Sequence, residues 1–172
     1  MRVHGAVARR LKVNRDASGI LVEVLRADWP DVFDAEARPF AQTYYSITPA
    51  GLARDETVWH VHQLQEDRFA VANGDIVLAL WDGRPESPTR GTLDLLPMGA
   101  SMPDDHQHAV LIPRRVHHGF LVAGSRPATL MNFPTKLYNP RDEGRDAFAA
   151  VGACFHDGQP FTWTRVREML AS

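Results

Sequence analysis

The sequence predicts an all-β fold, a jelly-roll barrel of eight strands followed by one short C-terminal helix. Three observations predict it. Short runs of β-branched, aromatic and other apolar residues are punctuated throughout by Gly, Pro, Asn and Asp, which sets strand-and-turn spacing rather than helix spacing. Helical periodicity is confined to the tail, Thr164 to Ala171, where Val166, Met169 and Leu170 share one side. Two strand-like segments also carry histidines, Trp59-His60-Val61-His62 and the stretch Pro113 to His118.

Taken in order, Val3 to Val13 and Ile20 to Arg26 read as strands joined by Asn14-Arg15-Asp16-Ala17-Ser18-Gly19, a hairpin dense in turn formers. Asp28 to Phe33 suits a short helical turn, because Pro30 can sit where no backbone donor is required. Phe40 to Ile47 returns to a strand on the β-propensity of Thr43, Tyr44 and Tyr45. Thr48 to Glu56 is a loop leading into the histidine pair. Arg68 to Asn73 and Ile76 to Trp81 form a hairpin about Gly74-Asp75, closed by Asp82-Gly83-Arg84-Pro85. Arg84 to Asp105, rich in Pro, Gly, Ser and Thr, is read as irregular. Strands follow at Ala109 to Ile112, Phe120 to Val122 and Ala128 to Phe133. The whole of 1–172 is expected to form one domain.

Bulk properties narrow the function. With 19 Lys and Arg against 21 Asp and Glu, the near-neutral chain has no general attraction for nucleic acid or an anionic membrane. Cys154 stands alone, the N-terminus lacks the apolar core of a signal peptide, and no run of apolar residues is long enough to span a bilayer. A soluble, cytoplasmic protein is expected.

Side chains alternate faces along a strand, so His60 and His62 point the same way, and His118 can join them from a second hairpin. Of the acidic residues that follow, counting back from the turn at Gly74 groups Asp67 with Phe69 and Val71, a set suited to a barrel interior. Glu66 groups with Arg68, Ala70 and Ala72, so Asp67 is expected inward and Glu66 outward. Three imidazoles and a carboxylate could hold Zn, Fe or Mn through His60, His62, Asp67 and His118. Without metal, the same groups make a proton-transfer site. His4, His106, His108 and His156 are read as ordinary surface or core histidines, Trp59, Trp81, Phe69 and Phe120 as packing, and Arg141 to Asp146 as a solvated charged face. Arg26, ending a strand, is either a solvated cap or a phosphate ligand.

The His-x-His pair, turn glycine and later Pro-x-x-x-x-His resemble the two-part signature of cupin barrels. More specifically, Leu111-Ile112-Pro113-Arg114-Arg115-Val116-His117-His118-Gly119-Phe120-Leu121-Val122 resembles the Ile-Pro-x-Gly-x-x-His-Gly-Phe-Leu run of the dTDP-4-dehydrorhamnose 3,5-epimerase family. Tyr138-Asn139-Pro140, the strand Gly19 to Arg26, and Phe40-Ala41-Gln42 with Ser46 are also similar, so the resemblance spans most of residues 15 to 145.

It implies a cofactor-free homodimer acting on a dTDP-4-keto-6-deoxy sugar in deoxysugar or polysaccharide biosynthesis. His60 would be the base that removes a proton beside the ketone, and Asp157 the carboxylate that orients it. Arg26 would bind the diphosphate, of its own or a neighbouring subunit, Gln42 and His118 would line the sugar pocket, and Tyr138 would stack on the thymine. Three positions depart from the family. Its Arg-Gly-Leu-His run becomes Thr57-Val58-Trp59-His60, with Arg54 the nearest arginine; its pocket lysine falls on Asp67; and the tyrosine that protonates the far face of the carbanion aligns with Asn132, whose amide cannot. The paired histidines also resemble the dTDP-sugar 3,4-ketoisomerases. The competing readings are a metal-dependent cupin and a nucleotide-sugar-binding barrel that has lost its acid.

Overall fold

The computed structural model describes residues 1–171, with strands numbered here in chain order. One five-stranded sheet has the order β1 (Val7–Arg10), β9 (His108–Ile112), β6 (Asp67–Asn73), β11 (Ala128–Asn132), β4 (Tyr44–Thr48). The other runs β12 (Glu143–Ala147), β5 (Val58–His62), β10 (His117–Ala123), β7 (Asp75–Trp81), β8 (Leu93–Gly99). A separate hairpin joins β2 (Val13–Asp16) to β3 (Gly19–Val22), and α1 (Trp163–Ala171) ends the described chain. Strand pairing is antiparallel in every case. The architecture is two open, facing sheets, and neither closes on itself.

The main core lies between the sheets, with Phe69, Val110 and Leu130 from one meeting Ile76, Leu78 and Phe120 from the other. A second apolar layer covers the outer face of the β5 sheet. There Trp59, Val77 and Leu121 pack beneath Phe148, Phe161, Trp163 and Val166 of the C-terminal segment. Alternation on β5 therefore divides its side chains: Trp59 is fully buried against Phe148 and Phe161, while His60 and His62 face the opposite way, toward the cavity described below. Gly119 lets this layer close up, since a Cβ there would stand 3.2 Å from the Trp163 ring.

Several elements differ from the sequence reading. Val3 to Val13 is not one strand: β1 pairs with β9, the chain turns at Leu11, and β2 pairs only with β3. The strand expected to reach Arg26 stops at Val22, whereas the single helical turn expected over Asp28 to Phe33 is present, with Phe33 N–H donating to Trp29 O at 2.8 Å. The segment read as irregular contains β8, whose Pro97 is tolerated because β8 is an edge strand. The cluster read as a solvated face contains β12, a second edge strand.

Two of the turns with left-handed backbone flank the strands that carry the site. Gly74 (φ 70) joins β6 to β7, and a Cβ there would lie 2.4 Å from Pro127 O. Arg115 (φ 63) stands where the family run has glycine, so the conformation is kept although the residue that favours it is not. The Arg115 N–H donates to His62 O at 2.7 Å, which fastens this turn to the end of β5.

Candidate active site

Five strands bring polar side chains to one cavity of about 520 Å³ between the sheets. β5 supplies His60 and His62, β6 supplies Asp67, and β10 places His118 directly across from His60 in the strand register. β4 faces them with Tyr44 and Ser46, while β12 adds Glu143 and Arg145. Phe69, Phe120 and Leu130 make the apolar part of the lining. The size suits a small organic ligand, and the mixed lining suits a polar one.

His60 is held by a carboxylate from the loop before β5. Its Nε2 lies 2.5 Å from Asp55 Oδ2, and since an ionised carboxylate only accepts, Nε2 carries the hydrogen and Nδ1 the lone pair. Glu143 Oε1 is 3.9 Å from Nδ1. Burial, reinforced by His118, lowers the His60 pKa below the usual imidazole value, and Asp55 opposes that shift without reversing it. The ring is thus a free base at neutral pH.

The Asp55 loop is itself clamped by α1. Trp163 Nε1–H donates to Asp55 O at 2.9 Å, and Arg167 donates to Gly51 O at 3.0 Å and to Glu56 Oε1 at 2.5 Å.

His62 and His118 form a second group around Asp67. His62 Nδ1 donates to Asp142 O and His118 Nδ1 to Val116 O, each at 3.1 Å. Their Nε2 atoms stand 3.5 and 3.3 Å from Asp67 Oδ2. Gln65 and Asn132 side-chain amides donate to Asp67 Oδ1, both at 2.8 Å. Burial alone would raise the Asp67 pKa, but its contacts with His118 and His62, with the hydrogen bond from the Asn132 amide, hold it below the usual carboxylate value. Asn132 is oriented unambiguously. Its Oδ1 accepts from Arg68 N–H at 3.1 Å, so its amide hydrogens go to Asp67 and, at 2.8 Å, to Tyr44 Oη.

Of the residues singled out from the sequence, His60, His62, Asp67, His118, Gln42, Arg54 and Tyr138 line this cavity. Asn132, 1% exposed, supports Asp67 and Tyr44 from behind. Asp67 faces the histidines, and Glu66 faces away to pair with Arg38 at 2.9 Å. Two residues lie elsewhere. Asp157 is a correction: its exposed carboxylate is bound by Arg165 at 3.0 and 2.5 Å, and the carboxylate that touches the base is Asp55. Arg26 is paired with Glu23 at 2.7 Å and Asp28 at 2.6 Å, outside the cavity lining of its own chain. The metal set expected from four residues is also smaller. Among the described residues, His62, Asp67 and His118 alone present ligand atoms within 4.8 Å of one another, and His60 Nε2 is turned to Asp55.

Sequence reasoning missed Asp55, Glu143 and Asp142. Asp142 accepts the backbone N–H groups of Gln63, Leu64 and Gln65 at 2.9 to 3.1 Å and so shapes the bend that brings Asp67 under the histidines. Its place beside Glu143 in an apparently solvated charge run hid it. Asp55 sits in a loop, where no periodicity reports side-chain direction.

Comparison with known proteins agrees with this geometry. Residues 1–149 match the family model described as dTDP-4-dehydrorhamnose 3,5-epimerase. The chain is 38% identical over 141 residues to a probable low-salt glycan biosynthesis epimerase of Haloferax volcanii, an alignment covering 81% of this chain and 83% of the relative. It is 30% identical over 138 residues to a spore coat polysaccharide biosynthesis protein of Bacillus subtilis, covering 80% and 83%. Among solved structures, a dTDP-sugar isomerase from Desulfovibrio desulfuricans superposes with a TM-score of 0.76 at 27% identity, over 95% of this chain and 93% of that one. The chain therefore belongs to the dTDP-4-dehydrorhamnose 3,5-epimerase family of dTDP-sugar epimerases and isomerases, enzymes that act on nucleotide sugars.

Proposed function

We propose that this enzyme moves a proton at the ring carbon beside the ketone of a dTDP-linked 4-keto-6-deoxy sugar, in the assembly of a surface glycan. The observation that carries the reading is the His60–Asp55 pair. A carboxylate 2.5 Å from Nε2 fixes the tautomer with Nδ1 basic, and the ring lines a cavity large enough for a sugar. Deprotonation forms an enolate, and return of a proton to the opposite face inverts the carbon. Arg54 and Arg145 are the cations available to a diphosphate, and Tyr138, 67% exposed at the cavity, is free to stack on a base.

Tyr44 takes the place of the acid that Asn132 cannot be. Its phenol oxygen accepts from Asn132, so its own proton is left to donate, and it enters from the sheet opposite His60. Burial, with the nearby Asp67 charge, raises its pKa, which keeps the proton on at neutral pH. Donation of that proton to the enolate, release of the captured proton from His60 to solvent and return of one proton from solvent to the phenolate balance the cycle.

The test is incubation with a dTDP-4-keto-6-deoxy sugar in deuterium oxide, followed by NMR. Incorporation of deuterium beside the ketone supports the reading. Tight nucleotide binding with no exchange would leave a binding protein.

Homodimer formation belongs to the same proposal. The β2–β3 hairpin forms no sheet with the rest of its own chain and leaves Leu21 63% exposed, and β4 is an edge strand with Tyr45 67% and Ile47 61% exposed. Exchange of the hairpin between copies would cover both and carry Arg26 toward a second cavity.

A further inference from the structure

We infer that His62, Asp67 and His118 form a binding site for one divalent transition-metal cation on the wall of the cavity. The inference starts from hydrogens. A backbone carbonyl can only accept, so the Nδ1 of His62 facing Asp142 O and the Nδ1 of His118 facing Val116 O both carry hydrogen. In neutral rings that leaves a lone pair on each Nε2, and both Nε2 atoms are aimed at Asp67 Oδ2, itself an acceptor. Three acceptors converge on one point with no donor between them. Such an arrangement calls for a positive charge at its centre, either a shared proton or a metal ion.

The spacing favours the metal. A charge-assisted hydrogen bond between nitrogen and a carboxylate oxygen is about 2.7–2.9 Å long, whereas the two separations here are 3.3 and 3.5 Å. Bonds of about 2.0–2.1 Å to a central tetrahedral cation place neighbouring ligands roughly 3.3–3.4 Å apart. The surroundings agree with that count. Each imidazole is oriented by a carbonyl, and the second oxygen of Asp67 is held by Gln65 and Asn132, so each ligand has a partner fixing its direction. Two imidazoles and one carboxylate on one wall leave the cavity side of the cation open, a donor set that suits Zn, Fe or Mn.

Resting on the proposed function, an oxygen of the keto sugar is the chemical class that would fill the open position. Polarisation of a carbonyl is what a cation supplies there. His60 takes no part in the site, because its Nε2 is committed to Asp55.

The experiment is calorimetric titration of untagged, EDTA-treated and dialysed protein with ZnCl₂, with far-UV circular dichroism as a check on folding. One equivalent is expected, with Kd of about 1 µM or tighter. Asp67→Asn and His118→Asn are each expected to weaken binding about 100-fold or more, and His60→Asn to leave it within about threefold. Should Asp67→Asn fail to fold, the double variant His62→Gln/His118→Gln decides in its place. No saturable binding to the wild-type protein at millimolar zinc overturns the inference, as does affinity that survives loss of these ligands. Deuterium exchange by metal-free protein that binds no zinc would overturn the metal site alone, and zinc binding without any exchange would overturn the proposed function alone.

Discussion

Tyr44 and Asn132 stand directly opposite each other on β4 and β11, and the Asn132 amide donates to the Tyr44 phenol oxygen at 2.8 Å. Tyr44 lines the cavity one strand away from position 132 with its own proton unspent, which under the proposed function makes it the acid. Tyr44→Phe is expected to retain exchange of a ring proton with solvent deuterium and to lower the rate of inverted product about 10²-fold or more. Equal loss of both would place Tyr44 in binding rather than in proton return.

Asp55→Asn removes the group that sets the His60 tautomer. The amide can accept as well as donate, so Nε2–H is no longer enforced and the basic nitrogen is no longer reliably Nδ1. Turnover is expected to fall about 10²-fold or more, with KM for the nucleotide sugar nearly unchanged. Asp157→Asn serves as the contrast, since its carboxylate binds Arg165 and is expected to leave turnover at the wild-type value.

Acid stability depends on Asp82, which is fully buried. Burial would raise its pKa, but hydrogen bonds from Arg84, Ser87 and Thr89 prevail and hold it far below its ordinary value near 3.8. A carboxyl whose folded-state pKa is depressed contributes stability that is fully present above its unfolded pKa and is lost as pH falls through the range below it. Urea unfolding is expected to show wild-type stability declining below about pH 4, with Asp82→Asn weaker by about 2 kcal/mol at neutral pH and less dependent on pH in that range.

Sedimentation tests the association. A dimer is expected at micromolar protein, and charged replacement of the exposed apolar pair, Leu21→Glu with Ile47→Glu, is expected to shift it to monomer. Wild-type monomer at that concentration would remove hairpin exchange from the account and return Arg26 to its surface ion pairs.

The inward-facing part of the site was legible because it obeys a local rule. Alternation along β5 puts His60 and His62 on one face, and the parity count from Gly74 puts Asp67 with Phe69 and Val71. What escaped is set by tertiary placement. Asp55 lies in a loop, where direction is fixed by a bond from Trp163, 108 positions away in the chain. Glu143 and Arg145 are on an edge strand whose charged composition is how edges resist unwanted pairing, and that composition looks the same as a solvated loop. Pro97 hid β8 for a related reason, since only the edge position of that strand makes a proline acceptable. The closed eight-strand barrel was an inference from strand number, and the open pairs of edges are visible only once β8 and β12 are recognised.

The clamp of α1 on the Asp55 loop sets an order of events during folding. Contacts between residues so distant in the chain form late, because the loop they close is long. The β-hairpin of β6 and β7 can therefore be in place while the base still lacks its orienting carboxylate. In refolding, recovery of activity is expected to trail recovery of sheet signal. The interval between them measures the docking of Trp163 and Arg167 on the loop that carries Asp55.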